Sequence, residues 1–282
     1  MESVNIPNPK KLEKTKKAIV QDGVNSLHIL ADFDRTLTKA SINGRDVPSL
    51  ISVLRDYNYL TSDYPEEAKA LFRKYRPIEI NPEIPKEEKM KAMEEWWKEH
   101  YDLLIKSKLN RKDIENVINS GRVEWREGAL EFLDFLKKYN IPLVIISSSG
   151  LGTLAISLYF KKSNKLSDNV HIVSNEFEWD ENGYLIRIKM PLIHSLNKNE
   201  IILKNFPFFE EIENRPNVIL LADSPDDINM KAAGFCKELI SIGFLNKKVK
   251  SNLEQYKNIF DVIITSDSEM KFVNDLLKDI FR

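Results

Sequence analysis

Two aspartates lie two residues apart at the end of an apolar run, in the segment DFDRT (residues 32–36). Side chains at positions i and i+2 of a strand point to the same side, so the carboxylates of Asp32 and Asp34 would converge on one point. Carboxylates that close repel each other unless a cation or a shared proton relieves the repulsion. The pair therefore predicts a charged site at this strand end, with a polar turn capped by aspartate as the alternative.

A second acidic cluster, DSPDD (residues 223–227), follows another apolar run at 218–222. Ligands of open α/β sheets bind at the carboxyl ends of the strands, where both clusters would arrive. Together they would form an all-oxygen site, which suits Mg²⁺ far better than a soft metal. The alternative for Asp226 and Asp227 is that they are acidic residues at a helix N-terminus.

Between the two clusters, the segment SSSGLGT (residues 147–153) could present hydroxyls and backbone N–H groups to a phosphate. Its glycines also fit a dinucleotide-binding fingerprint, but the acidic residue expected about 20 positions later is not clearly present. The segment therefore predicts a phosphate site and not an NAD site. A site with this much negative charge needs a fixed cation, and Lys198 is the candidate. The alternative is an ordinary surface lysine.

The elements that must position these residues follow from hydrophobic periodicity. Short β-branched apolar runs predict buried strands, at 27–33, 142–147, 170–174, 218–222, 239–243 and 262–265. Amphipathic stretches at 127–139 and 269–281 predict helices between or after them. Alternating strands and helices indicate an α/β fold with a largely parallel sheet.

Residues 40–122 interrupt this alternation because they contain no convincing buried strand. The helical spacing of their apolar residues predicts one amphipathic helix over 85–108, and Asn110 can cap the next helix with Asp113 in its first turn. This segment therefore predicts a helical lobe inserted after the first core strand. Further on, 176–190 predicts a hairpin, because Asn182-Gly183 suits a type I′ turn.

Composition excludes several classes of protein. The chain has 282 residues, and its 42 Lys plus Arg nearly balance 43 Asp plus Glu, so no global field favours nucleic acid or an anionic membrane. The single Cys236 excludes a disulfide framework and a cysteine-rich zinc site. No apolar run approaches the ~20 residues of a membrane span, and the N-terminus lacks the apolar core of a secretory signal. We expect a soluble, cytoplasmic protein whose oligomeric state the sequence does not determine, a monomer being compatible with it.

In chain order, DFDRT, Ser148, Lys198 and DSPDD resemble the four motifs of the haloacid dehalogenase (HAD) superfamily of phosphatases. Longer segments resemble the pyrimidine 5′-nucleotidase (cytosolic 5′-nucleotidase III) family. They are ADFDRTLT (31–38), YRPIEINP (75–82), EEWWKEHYDLL (94–104), SNEFEWDENGYL (174–185), LIHSLNKNE (192–200) and LLADSPDDINM (220–230). All lie in the family's order, and two of them fall in the helical insertion, which makes the resemblance specific.

The resemblance implies a mechanism. Asp32 would be the nucleophile that forms an aspartyl-phosphate, and Asp34 would be the general acid and base. Mg²⁺ would lie between Asp32, the backbone carbonyl of Asp34 and Asp223, with Asp227 behind a water. The remaining phosphate contacts would come from Ser148, Ser149, Gly150 and Lys198.

The resemblance also implies a domain organisation: an HAD-like Rossmannoid core of residues 1–40 and 123–282, and an α-helical cap of residues 41–122. In the family, a glutamate of the cap contacts the base, and the matching residue here is Glu79. An aromatic pair of the cap matches Trp96 and Trp97, whose alternative role is in the apolar core of the cap.

Together these features imply a Mg²⁺-dependent phosphoric monoester hydrolase that acts on nucleoside 5′-monophosphates, with the pyrimidine nucleotides UMP and CMP as expected substrates. The family also includes enzymes for 7-methylguanosine monophosphate and members that transfer phosphate to another nucleoside. A phosphatase for phosphoserine or another small ester shares the same core, and Glu79 and the cap aromatics separate the two possibilities. The alternative from another class is a catalytically silent phosphate-binding regulatory protein.

Overall fold

The structure, a computed structural model, describes residues 3–42, 44–198, 203, 205–230 and 236–282, so the last two residues of the 192–200 segment lie outside it. The strands are β1 (Val4–Asn5), β2 (Leu27–Ala31), β3 (Ser41–Ile42), β4 (Arg45–Asp46), β5 (Leu143–Ile146), β6 (Val170–Val173), β7 (Phe177–Trp179), β8 (Leu185–Ile188), β9 (Asn217–Ala222), β10 (Glu238–Leu245) and β11 (Val262–Thr265). The α-helices are α1 (Pro9–Asp22), α2 (Leu50–Asp56), α3 (Tyr64–Ile80), α4 (Lys86–Lys106), α5 (Arg111–Asn119), α6 (Ala129–Lys138), α7 (Gly152–Lys162), α8 (Phe209–Glu213), α9 (Val249–Lys257) and α10 (Lys271–Ile280).

A seven-stranded sheet in the order β1-β11-β10-β9-β2-β5-β6 forms the centre of the molecule. Its neighbouring strands run parallel except β1, which pairs antiparallel with β11. The six strands predicted from apolar runs all lie in this sheet, and β2, β5 and β9 are buried along their whole length. The α/β fold with a mainly parallel sheet is therefore confirmed, while the short β1 carries too few residues to show a pattern.

Helices cover both faces of the sheet, because successive side chains of the central strand β2 point to opposite faces and are buried on both. Ile29 and Ala31 of β2 belong to one apolar cluster, which includes residues of α1, α6, α7 and α10. Leu30, between them, belongs to a second cluster with Ile212 of α8 and Tyr256 of α9. A strand buried on both faces explains why its sequence is continuously apolar instead of alternating.

The chain between β2 and α6 forms the ribbon β3–β4 and the helices α2 to α5. The helix predicted over 85–108 is α4, and the capping box between Asn110 and Asp113 at the start of α5 is present. The periodicity left α2 and α3 unassigned, because α3 contains Pro77 and α2 is a short helix of seven residues. Apolar residues of α2 to α5 join the same cluster as one face of the sheet, so the block packs directly on it.

The predicted hairpin is present as β7 and β8, but its predicted turn type was wrong. Type I′ needs a positive φ at both central residues, and of Asn182 and Gly183 only Gly183 has one, at 82°. The Gly183 amide donates to the Asp180 carbonyl (3.0 Å), and the Asp180 carboxylate accepts from the amides of Asn182 and Tyr184. Asp180 therefore starts the turn, and Gly183 closes it. Within the described part of the chain, no helix has the length and apolar character needed to cross a membrane.

Candidate active site

Three aspartates meet where β2 and β9 end side by side. Asp32 follows β2 and Asp223 follows β9, and the Asp32 amide donates to the Leu221 carbonyl across the two parallel strands (3.0 Å). Asp227 comes from the 3-10 turn Pro225–Met230 that follows. One carboxylate oxygen from each of these three aspartates lies within 4.8 Å of the other two. The two acidic segments therefore converge, as their places at the strand ends predicted.

Lys198 is buried in this acidic cluster. Its Nζ lies 2.5 Å from Oδ1 of Asp32 and 3.0 Å from Oδ1 of Asp227, and each of the three residues is at most 5% exposed. Burial alone would lower the pKa of the Lys198 ammonium, but Asp227 and Asp32 outweigh burial and raise that pKa above its usual value. Lys198 is therefore a fixed cation facing the acids, as charge balance predicted, and it pairs with both Asp32 and Asp227.

The remaining negative charge is not balanced by this single lysine. Burial, with the charge of Asp32, raises the pKa of the Asp34 carboxyl to about 7, and burial raises that of Asp227 to about 6 despite Lys198. Burial and its acidic neighbours raise the pKa of Asp223 well above its usual value. In the described part of the chain, Oδ2 of Asp227 is buried without a hydrogen-bond partner. An oxygen-only cluster with surplus charge and an unsatisfied carboxylate oxygen fits a hard divalent cation.

The serine loop after β5 contributes two residues, Ser147 and Ser148, to the lining of this site. Ser148 lines a cavity of about 510 Å³ together with Asp32, Asp34 and Lys198. The Ser149 hydroxyl turns away and accepts from the Leu151 amide (3.3 Å). Gly150 lies under α2, where an added Cβ would be 2.9 Å from Cγ1 of Ile51. Phosphate contacts from Ser149 and Gly150 would therefore come from their amides and stay a prediction.

A second cavity, of about 300 Å³, adjoins the acidic one beneath α3 and α4. Glu79, Trp96 and Trp97, the residues matched to the cap segments, line it, and their contact with a base stays a prediction. The two cavities share part of their walls, namely Arg35, Ser49, Arg76, Glu79, Ser148 and Ser195. A molecule that is anionic at one end and planar at the other would contact both.

Glu79 is held on both carboxylate oxygens. Its Oε1 accepts from the Ser195 hydroxyl (2.7 Å), and its Oε2 pairs with Arg76 one turn earlier on α3. Ser195 lies in the same loop as Lys198, so this contact joins the wall of the second cavity to the loop that enters the acidic cluster. Sequence reasoning missed Ser195 because no local pattern links it to Glu79, which is far away in the chain.

The two tryptophans lie in a column of stacked rings. Trp96 stacks on Tyr75 at 5.9 Å and on Trp97 at 6.3 Å between ring centroids, and Trp97 stacks on Tyr101 at 5.4 Å. Both indoles are half-buried and both line the second cavity. The contact with a bound base and the role in the core of the helices are therefore compatible with each other.

Two further residues of this cavity were missed by the sequence reasoning. His100 and Tyr64 are buried, and within the described residues neither His100 Nε2 nor Tyr64 Oη has a hydrogen-bond partner. Burial lowers the pKa of His100 to about 4, so its imidazole is neutral. His100 could have been found from its position on α4, four residues after Trp96 and three after Trp97, whereas Tyr64 carries no such signal.

A parallel sheet with clustered aspartates, a buried lysine and a serine loop at its strand ends defines an HAD-like phosphatase. The structure entitled "Phospho-Aspartyl Intermediate Analogue of Phosphoserine phosphatase" shares this fold, with a TM-score of 0.52 and 20% identity over 90% of this chain and 98% of that chain. The family model described as "Pyrimidine 5'-nucleotidase (UMPH-1)" matches residues 35–281. The chain belongs to this pyrimidine 5′-nucleotidase family and is a phosphoric monoester hydrolase.

Two similar proteins cover nearly the whole chain. A protein named 7-methylguanosine phosphate-specific 5′-nucleotidase, from Gallus gallus, is 33% identical over 279 residues, which are 99% of this chain and 96% of the relative. The crystal structure of cytosolic 5′-nucleotidase IIIB bound to cytidine has a TM-score of 0.90 and 28% identity, and the match covers 100% of this chain and 94% of that chain. The likeness therefore includes the helices α2 to α5 as well as the sheet.

Proposed function

We propose that this chain is a Mg²⁺-dependent 5′-nucleotidase that hydrolyses nucleoside 5′-monophosphates through an aspartyl-phosphate on Asp32. The observation that carries the proposal is the pair of adjoining cavities, one acidic and one aromatic, with Ser148 and Glu79 in the wall that they share. The acidic cavity holds a phosphate beside Asp32, and the aromatic cavity accepts the base of the same molecule.

The reaction proceeds in two steps. In the first, a carboxylate oxygen of Asp32 bonds to phosphorus, the bond from phosphorus to O5′ breaks with its electron pair on O5′, and protonated Asp34 gives its proton to that oxygen. In the second, Asp34 takes a proton from a water that attacks phosphorus. Inorganic phosphate leaves, the Asp32 carboxylate is restored, and Asp34 is again an acid.

The carboxylates of Asp32, Asp223 and Asp227, with the backbone carbonyl of Asp34, would hold Mg²⁺. When bound, the ion neutralises charge on the phosphate oxygens and relieves the repulsion among the carboxylates. The remaining phosphate oxygens are bound by Ser148 and Lys198. Residues 41–122 act as a cap that excludes water and selects the leaving group. A cytoplasmic location is supported by the name of the matched enzyme, which is a cytosolic 5′-nucleotidase.

Two bases are candidates for the aromatic cavity. Pyrimidines are expected from the sequence, and the matched cytosolic enzyme was crystallised with cytidine. A 7-methylguanine base carries a positive charge, which favours stacking on indole rings near a carboxylate, here Trp96, Trp97 and Glu79. The Gallus gallus relative is named for that substrate. We propose 7-methylguanosine 5′-monophosphate as the preferred substrate, with CMP and UMP also hydrolysed.

A panel of phosphate esters tests the proposal. Phosphate release is measured with 7-methylguanosine 5′-monophosphate, GMP, CMP, UMP and phosphoserine, each with Mg²⁺ and with EDTA. We expect Mg²⁺-dependent release from the nucleotides, with the methylated nucleotide far ahead of GMP, its uncharged control. Release from phosphoserine alone would replace the substrate class. A folded protein that binds phosphate and hydrolyses none of the five would be a silent scaffold, and preference for CMP over the methylated nucleotide would restore the pyrimidine assignment.

A further inference from the structure

A buried arginine, Arg126, belongs to none of the recognised motifs and lies directly behind the loop that follows β2 and carries Asp34. Arg126 is 2% exposed, and its guanidinium lies 4.3 Å from the centroid of the Phe244 ring. All five of its N–H groups have an acceptor within the described residues. These acceptors are the carbonyls of Arg35, Thr36 and Ser268, the amide oxygen of Asn246 and the carboxylate of Asp267.

Arg35, the residue after Asp34, has a left-handed backbone with φ of 62°. A residue with a Cβ adopts this conformation only where its surroundings impose it. The Arg35 carbonyl accepts from Nη2 of Arg126 and from Nδ2 of Asn246 (3.0 Å), and the Arg35 amide donates to the Thr38 hydroxyl (2.8 Å). The unfavourable turn that follows the general acid is therefore held by hydrogen bonds on both sides of the residue.

Asp267 extends the same network to the start of the helical block. Its Oδ1 lies 2.9 Å from Nη1 of Arg126 and accepts from the Ala40 amide (3.0 Å), and its Oδ2 accepts from the Ser41 amide (2.7 Å). Residues 40 and 41 lead into the ribbon β3–β4, which precedes α2. One ion pair thus holds both the loop of Asp34 and the first residues of the segment that leads to the aromatic cavity.

We propose that Arg126 is a positioning residue that, with Asn246 and Asp267, holds the Arg35 turn and thereby aims the Asp34 carboxyl at the leaving oxygen. The proposal rests on the nucleotidase function given above. Only a guanidinium could reach five acceptors at once, because a lysine has three N–H groups and an apolar side chain has none. Burying its charge is unfavourable unless the charge is paired, and Asp267 provides the pair.

Loss of Arg126 should therefore impair the proton transfer from Asp34 more than the attack by Asp32. Asp32 is held mainly by contacts that do not involve Arg126, namely the Leu221 carbonyl at its amide and Lys198 at its carboxylate (2.5 Å), and the Thr36 hydroxyl adds only a longer contact (3.4 Å). Loosening the Arg35 turn therefore disturbs Asp34 more than the nucleophile. A ribose alkoxide needs the proton of Asp34 as it leaves, whereas nitrophenolate leaves without one. Asp34 also acts in the later hydrolysis of the aspartyl-phosphate, but that step is common to both esters and does not enter kcat/KM. The loss in kcat/KM is then large for a nucleotide and small for p-nitrophenyl phosphate.

The test compares kcat/KM for the preferred nucleotide and for p-nitrophenyl phosphate in Arg126→Met and Arg126→Lys, because kcat/KM reports the steps up to the departure of the leaving group. We expect Arg126→Met to lose about 100-fold on the nucleotide and less than about tenfold on the nitrophenyl ester, since a displacement near 1 Å has effects of this size. Arg126→Lys recovers part of the nucleotide rate. Hydrogen exchange of the peptide covering residues 32–41 becomes faster in Arg126→Met. The matched control is Arg215→Met, which removes an arginine that donates to the Leu27 carbonyl at the opposite end of β2. This variant should leave the rates on both esters and the hydrogen exchange of residues 32–41 unchanged.

Equal losses on the two esters, or unchanged exchange in 32–41, would overturn the proposal. If Arg126→Met does not fold, Asn246→Leu removes one of the two donors to the Arg35 carbonyl, and a smaller loss with the same selectivity is expected; an unselective loss again overturns the proposal. A wild-type protein that releases no phosphate from any nucleotide would instead contradict the nucleotidase function itself.

Discussion

The acidic cavity at the strand ends and the aromatic cavity under α3 and α4 are built in different ways. In the acidic cavity, Asp32 and Asp223 immediately follow adjacent parallel strands, so the topology of the sheet alone brings them together. In the aromatic cavity, Glu79 depends on Ser195 from a distant loop, and Trp97 depends on the packing of its ring neighbours. The chemistry of this protein therefore follows from local sequence and sheet topology, whereas its specificity follows from helix packing.

Removing the nucleophile from the acidic cavity should abolish activity on every substrate alike. Asp32→Asn replaces the attacking carboxylate by an amide, so we expect phosphate release from nucleotides and from p-nitrophenyl phosphate to fall by about 10⁴-fold or more. The matched control is Asp226→Asn, which changes an exposed acid of the same DSPDD segment and should retain near wild-type rates. Residual activity of Asp32→Asn within tenfold of wild type would remove Asp32 from the nucleophile role.

Metal removal should likewise affect all esters equally. We expect EDTA to reduce release to background and Mg²⁺ to restore it, because the repelling carboxylates need a cation. Binding of the ion to the folded state should also raise the melting temperature of the wild type. Asp223→Asn removes a carboxylate from the cluster, so this rise should shrink or disappear. Full activity in EDTA, or an undiminished rise in Asp223→Asn, would contradict the metal site.

This contrast explains how much of the molecule could be predicted from its sequence. The apolar runs and the aspartates at their ends were enough to predict the sheet and the approach of Asp32 to Asp223, because both follow from rules about parallel strands. Lys198 was placed as a cation by charge balance, but its pairing with Asp227 needed the structure. Arg126 and Ser195 were missed, since a hydrogen bond between residues far apart in the chain leaves no mark on either local sequence.

Removing the carboxylate of the aromatic cavity should have a smaller effect that depends on the substrate. Glu79→Ala deletes the carboxylate that we propose as an acceptor for the base, so we expect kcat/KM for nucleotides to fall by about 10- to 100-fold, as for the loss of a buried charged hydrogen bond. The rate with p-nitrophenyl phosphate should stay within twofold. Glu83→Ala, an exposed glutamate shortly after α3, is the control and should change neither rate. Equal losses on both esters would exclude Glu79 from base recognition.

The smallest expected effect separates the two bases within the aromatic cavity. Trp97→Tyr keeps an aromatic ring in the stack between Trp96 and Tyr101, but it presents a smaller and less electron-rich face to a cationic base. Differences in such contacts are worth about 0.5–1 kcal/mol, so kcat/KM for 7-methylguanosine 5′-monophosphate should fall about two- to fivefold, while CMP changes little. The matched control is Trp97→Phe, which tests the hydroxyl of the new tyrosine and should behave like Trp97→Tyr. If both variants lose kcat/KM for CMP and for the methylated nucleotide to the same extent, Trp97 serves the packing of α4 and does not discriminate the charge of the base. The preference between the two bases would then come from Glu79 and the neutral His100.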